Sequence, residues 1–97
     1  MAGKLSDTAI ADALAGLSGW SLSADAAAIE KTFRFKDFSA ALGFMVRVGL
    51  AAEAMDHHPD WTNVYNRVEV RLTTHSARAL TELDFRLAAK MDEIAGA

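Results

Sequence analysis

The chain has no cysteine and a single proline, and its charges do not cluster by sign. Without cysteine there is no disulfide framework, no thiolate metal site and no thiol nucleophile, and the lack fits a reducing compartment. The net charge of −3 comes from 10 basic and 13 acidic residues that are interspersed. That balance argues against binding polyphosphate by charge, which relies on clustered Lys and Arg, so no direct nucleic-acid ligand is expected. The N-terminus, MAGKLSDTAIAD, is broken by charge before it could form the apolar segment of a signal peptide. No apolar run reads as long enough to span a bilayer, so the expected location is cytoplasmic, with no membrane attachment. Repeats, low-complexity tracts and long linkers are also lacking. Apolar residues are plentiful, at 52% of 97 positions. That suffices for one core, or for a core plus a subunit contact, and a single domain over residues 1–97 is expected.

Periodicity supplies the elements. Ser6 can cap a short helix in which Ile10, Leu14 and Leu17 recur before Gly16, Ser18 and Gly19 close it. Trp20 and Leu22 alternate as in a strand, and Ser23 to Ala26 make a turn. From Ile29 to Lys36, Ile29, Phe33 and Phe35 face one way and Glu30, Thr32, Arg34 and Lys36 the other; Lys31 on the apolar face suggests an edge or end position. Asp37 can cap a helix over Phe38 to Met55, with Phe38, Leu42, Met45, Val48, Ala52 and Met55 on one stripe. Phe44, Val46 and Leu50 lie off that stripe, so the helix is apolar nearly all round and needs cover on more than one side. In so small a domain the extra cover points to a second subunit, and a homo-oligomer is expected. Thr62 to Tyr65 and Arg67 to Thr74 read as a hairpin whose tight turn uses Asn66, a residue that tolerates positive φ. A last helix is expected from about Ser76 to Ala95, stopped by Gly96. The order α-β-β-α-β-β-α favours an α+β fold: two layers, a four-stranded antiparallel sheet with helices on one face.

The chemistry concentrates in MDHHPDW, Met55 to Trp61, which holds two of the three histidines, the proline and one of two tryptophans. Pro59 cannot extend a helix and pushes His58 into extended geometry, so the helix must release the chain near Asp56 or His57. Consecutive side chains in extended backbone diverge, so His57 and His58 suit the two flanks of a ligand. His75 falls between a strand and the expected last helix, where Thr74 and Ser76 can both cap. A helix N-terminus favours the neutral imidazole, which can accept a proton. Ordinary structural alternatives stand beside each residue: Trp61 as a core anchor, Glu53 and Asp56 as exposed helix-end carboxylates, Asp84 as a rim charge. Adjacent histidines do not match the H-E-x-x-H spacing of a zinc helix, so no metal is expected. No G-x-S-x-G elbow is present to suggest a serine nucleophile.

The run EAMDHHPDWTNVYNRVEVRLTTH, Glu53 to His75, followed by TELDFRLA around Asp84, resembles the pterin-4a-carbinolamine dehydratases, also described as dimerisation cofactors of a homeodomain transcription factor. KDFSAALGFMVRVGLAAEA fits as well, and the first 30 residues match more loosely. The resemblance implies the same α+β fold, a homodimer or homotetramer, and catalytic residues at His57, His58, His75 and Asp84. It places Glu53, Pro59, Thr74 and Ser76 along the substrate pocket. It further implies dehydration of a 4a-hydroxytetrahydropterin to quinonoid dihydropterin, in recycling the cofactor of a pterin-dependent aromatic amino acid hydroxylase. Neither metal nor redox cofactor is required. Expelling hydroxide from a carbinolamine carbon needs a proton for the leaving oxygen and a base for a ring nitrogen, and imidazoles answer both needs near neutral pH. His75, supported by Asp84, is the expected base, and His57 or His58 the acid. The alternative is a non-enzymatic oligomerisation or coactivator module whose apolar helix binds a partner helix.

Overall fold

The computed structural model describes residues 3–96, so Met1, Ala2 and Ala97 of the expected 1–97 domain lie outside the described residues. The elements are α1 (Asp7–Ala15), β1 (Ser21–Leu22), β2 (Ile29–Arg34), α2 (Phe38–Met55), β3 (Asp60–Val64), β4 (Arg67–Leu72) and α3 (Glu82–Ala95). The four strands make one antiparallel sheet in the order β1-β2-β4-β3, the expected α+β arrangement. Ser6 and Asp37 cap α1 and α2 as their positions suggest, each side chain accepting a backbone N–H three residues on.

Alternation decides which face of the sheet is covered. Ile29 and Phe33 of β2 and Val68, Val70 and Leu72 of β4 point to one side, where they pack with Ala41, Phe44, Val48 and Ala52 of α2 and Leu87, Ala88 and Met91 of α3. Ile10 brings α1 into the same cluster. Phe44 sits at its centre, with ring centroids 4.7 Å from Phe33 and 4.9 Å from Phe35. The other face shows Glu30, Thr32, Arg34 and Glu69 to solvent.

Several local expectations are corrected. Lys31 lies on β2, an interior strand. It tolerates the apolar face because its Nζ reaches Asp92 of α3 at 2.7 Å and the Ser18 carbonyl at 3.0 Å, over the ring of Phe33. In the β3–β4 hairpin Tyr65, not Asn66, takes the left-handed conformation, with φ 49°. The Asn66 amide instead donates to the Phe35 carbonyl at 2.8 Å, tying the hairpin tip to the end of β2. β3 begins earlier than expected, at Asp60, and β4 ends earlier, at Leu72.

The last helix starts six residues later than Ser76. Thr74 and Ala79 form an isolated bridge, and Arg78 has φ 51°, so residues 75–78 are a closed turn and not a helical one. The cap is Thr81, in a capping box with Asp84, and neither Thr74 nor Ser76 caps the helix.

On α2 the stripe is rotated from the one expected. Phe44 is core, whereas Phe38, Leu42, Val46 and Leu50, one turn apart in succession, are 46%, 47%, 56% and 70% exposed. α2 is also, by length and composition, apolar enough to cross a membrane, which corrects the reading that no run is. Its inner face belongs to the sheet-covering core, and the exposed stripe is a single face.

Candidate active site

The site forms where α2 ends and the two strands of the hairpin meet again. Asp56 closes α2 in the left-handed region, φ 52°, while the N–H groups of Asp56 and His57 return to the carbonyls of Glu53 and Ala52. These paired bonds are a Schellman turn. It swings His57 away from the helix axis, and Pro59 then delivers the chain into β3. Antiparallel pairing of Asp60 with Arg71 does the rest. Continuing that register lays residues 57–59 beside residues 72–74, with His75 one position further on, so histidines far apart in the chain become neighbours.

A cavity of about 450 Å³ occupies this place, and His57, His58, Pro59, Thr74, His75 and Ser76 all line it. Glu53 and Asp84 are not on its wall; each meets it through a histidine. A larger hollow of about 690 Å³ lies over the sheet and takes in Asp60, Glu30, Glu69 and Arg71. Its Arg71 is engaged by Glu30 at 3.3 Å and by Asp25 at 3.4 Å, and it holds no imidazole. At its margin the Asp25 carboxyl is held below the usual carboxylate range, by the Ser23 hydroxyl first and the Ala27 N–H next.

Each imidazole has its own carboxylate. His57 Nε2 lies 2.6 Å from Asp84 Oδ1, and both side chains are buried. His58 Nε2 is 2.7 Å from Glu53 Oε1 in an exposed pair, which explains an acid at the C-terminal end of α2, where the helix dipole disfavours it. His75 Nε2 is 3.4 Å from Asp60 Oδ2, at the open mouth. As the local geometry requires, the adjacent imidazoles diverge, His57 inward and His58 outward.

Two expectations change here. Asp84 is no rim charge: it is fully buried, with Oδ2 accepting from Thr74 Oγ1 at 2.8 Å and from the Thr81 N–H at 3.0 Å. It therefore supports His57 and not His75. His75, for its part, sits in the turn ahead of α3 and gains nothing from a helix N-terminus. Sequence reasoning also missed Asp60 and Thr81. Nothing local marks Asp60, which meets His75 only through strand pairing. Thr81 was marked, by the Thr-x-x-Asp spacing of a capping box.

Among the described residues no group of three or more metal-ligating side chains converges. Three titratable rings on the cavity wall with a carboxylate behind each form an arrangement able to exchange protons with a bound molecule.

The fold and this constellation define an α+β protein with a histidine-lined cleft at the hairpin base. The family model described as pterin 4 alpha carbinolamine dehydratase matches residues 3–94, and the chain belongs to that family. The match takes in residues 3–30, beyond the part where the sequence resemblance was close. A protein of Sinorhizobium fredii named "Putative pterin-4-alpha-carbinolamine dehydratase" is 55% identical over 92 residues, covering 95% of this chain and 88% of the relative. One of Mesorhizobium japonicum with the same name is 56% identical over 93 residues, covering 96% and 95%. A crystal structure of a "transcriptional coactivator/pterin dehydratase" from Brucella melitensis superposes with a TM-score of 0.94 at 49% identity, covering 97% of this chain and 100% of that one.

Proposed function

We propose that this protein dehydrates a 4a-hydroxytetrahydropterin by general acid–base catalysis between imidazoles. The observation that carries the proposal is three histidines on one cavity wall, each backed by its own carboxylate. In the reaction the bond from ring carbon to hydroxyl breaks, the oxygen leaves as water with a proton from the acid, and a ring nitrogen loses its proton to the base as the new double bond forms. No electrons change hands. His75, exposed at the mouth beside Asp60, is the base. His57 is the better-supported acid, because a buried carboxylate 2.6 Å away holds its ring in place, whereas the His58–Glu53 pair stands in water. Pro59, Thr74 and Ser76 shape the wall against which the pterin lies. The product is quinonoid dihydropterin, which suits recycling for a pterin-dependent aromatic amino acid hydroxylase.

The direct test follows absorbance during dehydration of a 4a-hydroxypterin with the purified chain. Acceleration over the spontaneous reaction, saturating in substrate, is expected; no acceleration overturns the assignment.

The exposed stripe of α2 favours a second reading alongside the first: copies of this chain associate as a dimer or tetramer through Phe38, Leu42, Val46 and Leu50. The same stripe would take the helix of a different partner, the coactivator alternative. Burying a leucine side chain is worth about 1.5–3 kcal/mol, and a carboxylate put in its place opposes association. Leu50→Glu is expected to lower the mass measured by light scattering without unfolding the chain, since Leu50 makes no part of the core. An unchanged mass would remove α2 from the interface.

A further inference from the structure

A buried chain of hydrogen bonds runs behind His57, and its direction can be worked out atom by atom. Asp84 Oδ2 accepts from Thr74 Oγ1 at 2.8 Å, which uses the only hydroxyl proton that Thr74 has. At the 2.7 Å contact between Thr74 Oγ1 and Thr81 Oγ1, Thr74 must then be the acceptor and Thr81 the donor. Thr81 Oγ1 in turn accepts the Leu83 N–H at 3.3 Å, while the Thr81 N–H donates to Asp84 Oδ2 at 3.0 Å. Thr81, Thr74 and Asp84 are all buried, so water does not compete for these bonds.

Two donors converge on Oδ2, the Thr74 hydroxyl and the Thr81 N–H, so Asp84 is an acceptor on that side. An Asp84 that accepts at both oxygens requires His57 to donate from Nε2 across the 2.6 Å contact. Nδ1 of His57 then carries no proton in the neutral ring. It is the nitrogen with no protein partner among the described residues, on a side chain that lines the cavity.

We infer that Thr81, acting through Thr74, is a positioning residue that keeps Asp84 an acceptor toward His57 and thereby fixes the tautomer of His57, presenting Nδ1 to the substrate as the atom that gives and takes the proton. Without the hydroxyl chain Asp84 keeps one backbone donor, and the proton between the two groups can move to its Oδ1. The ring then holds its proton on Nδ1 and faces the cavity in the opposite sense. This extends the proposed dehydratase reading, on which its catalytic consequence rests. The tautomer itself does not depend on that reading.

The test uses Thr81→Val and Thr74→Val, with Thr81→Ser and Thr74→Ser as hydroxyl-retaining controls. Nitrogen-15 NMR of the imidazoles is recorded on the unliganded full chain at neutral pH, beside kcat and KM for the 4a-hydroxypterin. In the natural protein and both serine variants His57 should show a protonated Nε2. In the valine variants the Nδ1–H form should become populated, with kcat falling about tenfold, the worth of one hydrogen bond to a charged group, and KM little changed. Thr81→Val also loses a helix cap; Thr74→Val leaves the Thr81 cap in place and carries the test should the first fail to fold. An unaltered Nε2–H tautomer in Thr74→Val overturns the inference, as does a neutral His57 ring in the natural protein that carries its proton on Nδ1 and none on Nε2. A chain with the expected tautomer and no turnover would instead count against the dehydratase reading alone.

Discussion

His75→Ala is expected to lower dehydratase turnover by about 10² to 10⁴-fold, the usual worth of a positioned acid or base, while the melting temperature stays where it was. The two halves of that expectation have separate physical grounds. The His75 side chain is 72% exposed and its one ionic contact, to Asp60 at 3.4 Å, is exposed as well. Pairs of that kind contribute about 0–1 kcal/mol to stability. The turn it occupies is held by backbone bonds, Ala77 N–H to the Thr74 carbonyl and Arg78 N–H to the His75 carbonyl, which alanine keeps. Neither other imidazole replaces His75 in the proposed mechanism: His57 already serves as the acid, and His58 turns outward to Glu53. Turnover measured beside a thermal melt checks both halves. Near-normal turnover would remove His75 from the mechanism, and a large drop in melting temperature would show that the turn needs it structurally.

What could be read in advance follows from the range of the interactions involved. Caps and alternation are local, so Ser6, Asp37 and the two faces of β2 and β4 stood plainly in the residue order. The release of the chain at Asp56 followed from Pro59 in the same way. Where two local signals competed, the wrong one could win. Thr74 and Ser76 looked like caps, but Thr81 with Asp84 satisfies more of the helix's free N–H groups and sets its start. Periodicity failed on α2 for a different reason. A helix apolar nearly all round has no polar face to fix its rotation, and only packing against β2 and β4 decides that Phe44 goes in and Leu42 stays out. The pairing of histidines with carboxylates was the least legible feature. Asp60 meets His75, and Asp84 meets His57, through strand register and helix docking that join residues 15 and 27 positions apart.

The same range argument explains why the site sits at the hairpin base. A catalytic imidazole needs both access and a fixed ring, and these requirements conflict. Here they are divided between layers of the fold. The segment after β4 supplies buried Thr74, and the cap and first turn of α3 supply buried Thr81 and Asp84, which hold one side of His57. The loop after α2 supplies exposed His58, and the turn before α3 supplies exposed His75. The cleft is therefore buried and hydrogen-bonded on its inner wall and open on its outer one.

Asp84→Ala should be the most disruptive single change at this inner wall, destabilising the protein by about 3–5 kcal/mol and abolishing useful turnover. The methyl group leaves three buried donors without an acceptor: His57 Nε2, Thr74 Oγ1 and the Thr81 N–H. Each unsatisfied buried group costs about 1–3 kcal/mol, and the capping box at the start of α3 is lost with them. For a chain of 97 residues such a loss lowers the melting temperature by on the order of 15 °C or more. Asp84→Asn separates stability from chemistry. Its carbonyl oxygen can take over the two bonds made by Oδ2, which preserves the cap and most of the stability. Its amide must then face His57 Nε2 as a donor, forcing the ring proton to Nδ1. The asparagine variant is thus expected to melt far closer to the natural protein than the alanine variant, yet to lose most of its turnover. A melting temperature for Asp84→Ala within a few degrees of the natural value would mean that water reaches this cluster, and a fully active Asp84→Asn would mean that the tautomer of His57 does not matter to the reaction.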